Sequence, residues 1–269
     1  MIPPVAPETL AEMSSGSGKF KRGIRQLRNA PCSWMLVRIL IIFQAIPVIW
    51  DKIAPVPPGT TDKLSQVQAI LGLKKDNFLS GDFWQIASHA LIHVNWAHLL
   101  LNAAVILLLG SKIEHFTSKR VFWLLSLSAA LLGGLLFLLF TPPGIPPIDQ
   151  QTLVGSSAIC FAFLIFHTTL SPESKFLPLF LSGRSIGAGI ILANLILSLS
   201  HPDLPTGPFA HFGAYLTEHG LAELFRISHP CHLGGSIAGF LFGRYLLRPR
   251  VSLASLRRER EKREASAKR

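Results

Sequence analysis

The sequence is poor in charged residues: Asp, Glu, Lys and Arg make up 15% of its 269 residues, whereas hydrophobic residues make up 49%. The mean hydropathy is +0.41. A soluble domain spreads charges over its surface, but here the charges are confined to a few short segments. This scarcity excludes an ordinary soluble domain and predicts an all-α polytopic membrane protein.

Cysteines and acidic residues are also scarce. The three cysteines, Cys32, Cys160 and Cys231, are odd in number and two lie in or beside apolar runs, which does not fit a disulfide framework. The 15 acidic residues are outnumbered by 26 basic ones, so the net charge is +11. The basic residues cluster in "KFKRGIRQLR" and after Arg248 instead of forming one continuous surface, which argues against a nucleic-acid partner.

Long apolar runs take the place of surface charge. A helix needs roughly 18 to 20 apolar residues to cross a bilayer, and six windows approach or exceed that length: Trp34 to Trp50, Leu91 to Gly110, Val121 to Phe140, Leu153 to Leu170, Ser185 to Ser200 and His232 to Leu247. The first follows a basic segment and contains Arg38, so a cleaved signal peptide is the less favoured interpretation. We expect a six-helix membrane domain over 33–247, flanked by basic segments 1–32 and 248–269.

The distribution of basic residues predicts the topology. Both ends of the chain are basic, which places both on the cytoplasmic side and requires an even number of spans. The loop "SKIEHFTSKR" after the second run is also basic, as a cytoplasmic loop should be. The loop "TPPGIPPIDQQT" has no Lys or Arg and fits the opposite side of the membrane.

The second apolar run carries polar residues at helical spacing. His89 and His93 are four residues apart, as are His98 and Asn102, so each pair shares a helix face. A zinc site is a weak interpretation, because there is no HExxH motif and no acidic residue in the run. We favour hydrogen bonds from His89 and His93 that tie the first loop to the helix start. His98 and Asn102 lie deeper and can both donate hydrogen bonds toward a common point.

Two further runs begin with residues that carry chemistry. In "TLVGSSAICFAF", Gly155 precedes Ser157 at a helix start, where free N–H groups can stabilise an anion. In "HPCHLGGSIAG", Gly235 and Gly239 follow His232 and predict a close helix contact. If that face meets the fourth helix, Ser157 comes within reach of His232 and becomes an activated nucleophile. Because no acidic residue lies near His232 in the sequence, we expect a Ser/His pair and not a triad.

These motifs, in this order, resemble those of the rhomboid family of intramembrane serine proteases. "FWQIASHALIHVNWAHLLLN", followed by "LGSKIE", is similar to the family's second helix. "GSSA" resembles its G-x-S-G nucleophile motif, and "HLGGSIAG" resembles the H-x-G-G-x3-G motif of its last core helix. The resemblance covers residues 83–247 and implies a six-transmembrane-helix bundle whose active site lies below the outer surface and is reached by water from that side.

The resemblance also implies residue roles. Ser157 would be the nucleophile and His232 the general base and then acid, with no cofactor and no metal. His98 and Asn102, together with the Ser157 backbone N–H, would donate hydrogen bonds to the oxyanion. The remaining residues would support this site: Gly155, His89, His93, Phe161 against the catalytic histidine, Glu114 between helices at the cytoplasmic end, and Gly235 and Gly239 at the helix contact.

The expected substrates are single-span or polytopic membrane proteins, cleaved in a bacterial inner (cell) membrane. Three positions depart from the family pattern. Ala158 replaces a glycine and either crowds the serine or exchanges one small residue for another. Gln85 replaces an arginine in the first loop, and Cys231 stands where alanine is common.

Two other classes of protein fit the sequence less well. A catalytically impaired rhomboid-like binding factor would lose the serine or the histidine, and both are present. A transporter or channel would more often show inverted repeats or membrane-buried acids, and the sequence shows neither.

Overall fold

The computed structural model describes residues 23–57, 59–141, 152–176, 180–202, 204, 207–248 and 253–267. The basic N-terminal segment predicted over 1–32 is therefore described only from residue 23. The proline-rich loop predicted to lie outside the membrane falls almost wholly outside the described residues, as do 249–252 and 268–269 of the basic tail.

Helices make up most of the described residues. They are α1 (Pro31–Ile53), α2 (Lys63–Leu71), α3 (Lys75–Leu79), α4 (Gln85–Ser88), α5 (Trp96–Phe116, with a π-helical turn at Ile106–Gly110), α6 (Lys119–Phe140), α7 (Ser157–Leu170), α8 (Gly183–Leu199), α9 (Pro208–Leu216), α10 (His229–Leu246) and α11 (Leu253–Ala267). Short 3₁₀ turns cover His89–Leu91 and Ala222–Arg226, and a π-helical turn covers Thr217–Leu221. Strands β1 (Lys175–Phe176) and β2 (Leu181–Ser182) form an antiparallel pair.

A helix lies at each of the six apolar runs, but the runs differ in their capacity to cross a membrane. In the described part of the chain, α1, α5 and α6 are long and apolar enough to span a bilayer by length and composition. Helices α7 and α8 are apolar but shorter. The described residues are therefore mainly helical with three helices able to cross a membrane, whereas the count of six crossings does not follow from length and composition.

The start of α1 is capped by a side chain from another helix. Glu114, near the end of α5, accepts hydrogen bonds from the backbone N–H of Cys32 at 2.9 Å and of Ser33 at 2.6 Å. It also accepts a hydrogen bond from the Ser33 hydroxyl, with 2.6 Å between the two oxygens. The first N–H groups of a helix lack intrahelical partners and attract negative charge, so one carboxylate fastens two helix ends together.

Gln85 organises the first loop from a fully buried position. Its side-chain carbonyl accepts from the N–H of Lys74 at 3.1 Å, and its amide nitrogen donates to the carbonyl of Ile70 at 3.2 Å. The indole of Trp84 donates to the same Ile70 carbonyl at 3.1 Å. The loop is thus held by a neutral amide at the position where the family pattern has an arginine.

Helices α7 and α10 pack backbone against backbone. A Cβ built on Gly235 would lie 2.7 Å from the carbonyl carbon of Ala158 and 2.8 Å from its Cα. A Cβ on Gly239 would lie 3.0 Å from the equivalent atoms of Ala162. Small residues allow this approach, and it brings the first turns of the two helices side by side.

The long segment before α10 is helical but broken. Helix α9 runs into the π-helical turn, where Gly220 adopts a φ of 84° that interrupts the helix. The segment 214–227 is therefore divided into shorter turns, because a residue with positive φ cannot continue a right-handed helix.

Candidate active site

The turn before α7 is shaped by Gly155. Its φ of 115° lies in the region that favours glycine, and a Cβ there would lie 2.6 Å from Cε1 of His98 and 3.0 Å from its Nε2. The Gly155 N–H donates to the carbonyl of His89 at 2.8 Å. The turn therefore packs directly against the His98 ring and delivers Ser157 as the first residue of α7.

Ser157 and His232 form a hydrogen-bonded pair. The serine hydroxyl lies 2.9 Å from Nε2 of His232, which it reaches as a donor when the ring nitrogen is unprotonated. The ring of Phe161, one turn after the serine, stacks on the imidazole with centroids 4.2 Å apart and an interplanar angle of 21°. Ser157 is partly exposed, whereas His232 is buried.

Packing and backbone contacts position the His232 ring, since no carboxylate among the described residues hydrogen-bonds to it. The hydroxyl of Ser236 donates to the carbonyl of His232 at 2.8 Å. One turn earlier, the ring of His229 lies within hydrogen-bond distance of the Asn194 side-chain oxygen on α8, at 3.1 Å, and of the Leu224 carbonyl, at 2.8 Å. These contacts connect the start of α10 to its neighbours.

Three groups near the first turn of α7 have no hydrogen-bond partner among the described residues. Asn102 is buried, its side-chain oxygen lies 3.6 Å from the Cys160 sulfur, and its amide nitrogen has no partner. The Ser157 N–H and the ring of His98 likewise form no hydrogen bond to the described residues. Because Cys160 lies one turn after Ser157, the contact places Asn102 beside the serine's helix. Donors left free in this way can stabilise a developing negative charge.

His89 and His93 bond to partners other than the expected ones. Nε2 of His89 lies 3.2 Å from the carbonyl of Ala130 on α6. Nε2 of His93 accepts from the N–H of Ser156 at 3.2 Å and lies 3.1 Å from its hydroxyl. The two side chains thus connect the segment before α5 to α6 and to the turn before α7. The first loop is joined instead through the His93 carbonyl, which accepts from the Gln68 amide at 2.8 Å.

The departures at Ala158 and Cys231 fit the same packing. Ala158 is fully buried, and its Cβ would lie 2.8 Å from a Cβ built on Gly133 of α6. Cys231 is also fully buried, with its sulfur 3.0 Å from that same point. Both side chains belong to a buried cluster with Phe137. The glycine on α6 provides the space that the additional methyl group of Ala158 requires.

Sequence patterns did not single out several residues that contact the site or its supporting helices. Gln44, buried in the middle of α1, accepts from the N–H of His93 at 3.1 Å. Ser156, next to Ser157, is the partner of His93, and Lys75 donates to the carbonyls of Leu138 and Thr141 at the end of α6. Gln44 could have been identified from the sequence, because it is a polar residue inside an apolar run. Within the described ranges, no group of three or more His, Cys, Asp or Glu side chains is arranged to hold a metal ion.

The apolar helices and the partly buried hydroxyl–imidazole pair define a class, namely an integral membrane protein with a polar site between its helices. Comparison with known families narrows this class. The Rhomboid domain model matches residues 80–249, which is more than half of the chain, and the protein belongs to the rhomboid family.

One curated relative is "Rhomboid protease GluP" of Bacillus subtilis (strain 168). It is 23% identical over 202 residues, which is 74% of this chain and 33% of the relative. The chain therefore spans about a third of the length of this relative.

Proposed function

We propose that this protein is an intramembrane serine protease that cleaves transmembrane segments of other membrane proteins with a Ser157/His232 dyad. The 2.9 Å contact between the serine Oγ and the imidazole Nε2 carries the proposal. Membership of the rhomboid family and a relative named as a rhomboid protease support it.

The first half of the reaction follows from that contact. Nε2 of His232 takes the Ser157 hydroxyl proton while Oγ attacks the scissile carbonyl carbon. The imidazolium then gives this proton to the departing amine nitrogen as the C–N bond breaks, leaving the acyl group on Ser157. In the second half, His232 takes a proton from water, the hydroxide oxygen attacks the ester carbonyl, and the proton returns to Oγ as the acid is released.

The tetrahedral intermediates carry a negative oxygen that needs donors. The unpartnered amide of Asn102, the ring of His98 and the N–H of Ser157 fill that role in our proposal. The first N–H groups of α7 add a favourable helix-terminal field. Such donors act mainly in the transition state and contribute roughly 10²- to 10³-fold each.

The proposal includes six membrane crossings with both termini cytoplasmic, in a bacterial inner membrane. Loops 51–83 and 201–231 would then lie outside, because basic residues cluster at the other side. Reporter fusions or cysteine accessibility after residue 145 and after residue 265 should report opposite sides of the membrane. The same side for both positions would contradict the six-span arrangement.

Two assays test the dyad directly. The purified protein should react with a serine-directed fluorophosphonate, and in liposomes it should cleave a model single-span substrate. Ser157→Ala should abolish both activities, because removal of either member leaves the other nearly inert. His232→Ala should abolish cleavage and greatly slow labelling. Ser126→Ala, on α6, removes a buried hydroxyl that donates to the Phe122 carbonyl, and should leave both signals intact.

The outcomes separate this function from its alternative. Cleavage that persists in either Ser157→Ala or His232→Ala would eliminate the dyad. Intact protein that neither labels nor cleaves any of a panel of substrates would favour a catalytically impaired rhomboid-like binding factor, and Ala158→Gly would then test whether the additional methyl group is the cause.

A further inference from the structure

A groove opens among α7, α8 and α10 at the ends of these helices remote from the candidate active site. It encloses about 610 Å³, within the roughly 300 to 1,000 Å³ typical of ligand sites. Ile165 is the residue of α7 on its wall that comes earliest in the helix, eight residues after Ser157, which at 1.5 Å per residue is about 12 Å along α7. The groove is thus separate from the dyad.

The walls of the groove are apolar and uncovered. Leu192 of α8 is 56% exposed, and Phe240 and Leu247, in and just after α10, are 43% and 48% exposed. Gly183 and Gly187 line the same groove and add no side-chain volume. In an integral membrane protein an apolar groove of this kind faces the hydrocarbon of the bilayer. Acyl chains or other apolar groups can fill it, whereas polar groups would lose their hydrogen bonds to water.

Two arginines give the groove a charged end. Arg244, in the last turn of α10, lines it and forms no ion pair within the part of the chain that the structure describes. Arg184, in the first turn of α8, lines it as well and contacts Glu173 at 2.6 Å. Both members of that pair are largely exposed, so the pair is weak and the guanidinium keeps further donors available. Guanidinium groups are the preferred partners of phosphate.

We infer that this groove binds one anionic phospholipid, with its acyl chains along α8 and α10 and its phosphate between Arg184 and Arg244. Charge complementarity selects the occupant: an apolar cleft between helices with basic residues at its end fits an anionic lipid better than a neutral one. A bound lipid would join the far ends of α7 and α10, the two helices that bear Ser157 and His232. The lipid site itself does not depend on the proposed protease activity.

The test measures lipid binding to the purified, delipidated full-length chain by native mass spectrometry. Phosphatidylglycerol and phosphatidylcholine with the same acyl chains are titrated in parallel. Phosphatidylglycerol should bind at least roughly ten-fold more tightly. The double variant Arg184→Gln/Arg244→Gln should lose roughly ten- to thirty-fold in affinity for phosphatidylglycerol, with little change for phosphatidylcholine.

Controls distinguish a lipid site from general charge effects. Arg226→Gln removes an exposed arginine near the opposite end of α10, where it pairs with Glu223, and should leave lipid binding unchanged. Should the double variant fail to fold, Arg244→Gln alone loses no ion pair and should weaken phosphatidylglycerol binding by roughly three- to ten-fold.

Three results would overturn the inference. The first is equal retention of the two lipids by the parent protein, and the second is unchanged phosphatidylglycerol binding in the arginine variants. The third is displacement of the lipid by soluble glycerol phosphate at similar concentrations, which would indicate a phosphate site without a role for the apolar groove.

Discussion

The contact between α7 and α10 makes Gly235→Ala the most informative single substitution. The new Cβ would lie 2.7 Å from the carbonyl carbon of Ala158, 2.8 Å from its Cα and closer still to its carbonyl oxygen. Ordinary van der Waals contact begins at 3.4 Å. Because these are backbone atoms, the helices must separate by at least about 0.6 Å. Ser157 directly precedes Ala158 and His232 lies three residues before Gly235, so the separation acts on their 2.9 Å hydrogen bond.

The expected magnitude follows from this geometry. Displacement approaching 1 Å between reacting groups can cost about 100-fold in rate, so we expect cleavage and fluorophosphonate labelling to fall roughly 10- to 100-fold. Overpacking of a tight interface costs typically 1–3 kcal/mol, so Tm should fall by several degrees. Gly239→Ala should have a smaller effect, because its Cβ would meet the backbone carbons of Ala162 at 3.0 Å, with the carbonyl oxygen closer still, and lies one turn farther from the dyad.

Gly189→Ala is the matched control for this experiment. It is the same change within helix α8, where a Cβ meets nothing within 4 Å, so activity should be unchanged and stability equal or slightly higher. Full activity and an unchanged Tm in Gly235→Ala would refute the close helix contact. A lower Tm with full activity, measured on the folded fraction, would mean that the contact stabilises the fold without positioning the dyad.

Three further predictions concern other buried contacts. Glu114→Ala should destabilise the fold by roughly 1.5–3 kcal/mol, read as a lower Tm, because the first N–H groups of α1 lose a charged acceptor. Gln85→Leu should cost roughly 1–3 kcal/mol by the same measurement, because the partly buried N–H of Lys74 loses its acceptor. His98→Ala and Asn102→Ala should slow cleavage roughly 10- to 1000-fold with Tm preserved, whereas His89→Ala should mainly lower Tm.

Each of these predictions has a contrasting outcome. Glu173→Ala removes an exposed ion pair and should change Tm little, so an equal loss in both glutamate variants would contradict the capping role. Increased protease nicking of the loop 54–95 in Gln85→Leu is expected, and an unchanged digestion pattern with unchanged Tm would show that the amide is dispensable. Full activity with lowered Tm in both His98→Ala and Asn102→Ala would make those residues structural.

The positions of the helices and the side-chain chemistry available to them can be read from the amino-acid sequence. Apolar runs of membrane length specify helices locally, because every backbone group must be satisfied within its own segment when no water is present. The glycine spacing after His232 predicted a close helix contact, and the helix at Ser157 begins where Gly155 indicated a turn. The replacement at Gln85 was visible, but the hydrogen bonds through which this amide holds the loop were not.

Which polar groups meet depends on how the helices pack in the folded chain. His93 and Ser156 are 63 residues apart in the chain, and Ser33 and Glu114 are 81 apart. Such contacts depend on how helices are rotated and placed against one another, and the sequence pattern of a single helix does not encode that placement. Buried polar groups must find partners wherever the packing brings them. For this reason the spacing in the second apolar run pointed to the histidines, but the partner of each ring is known only from the folded structure.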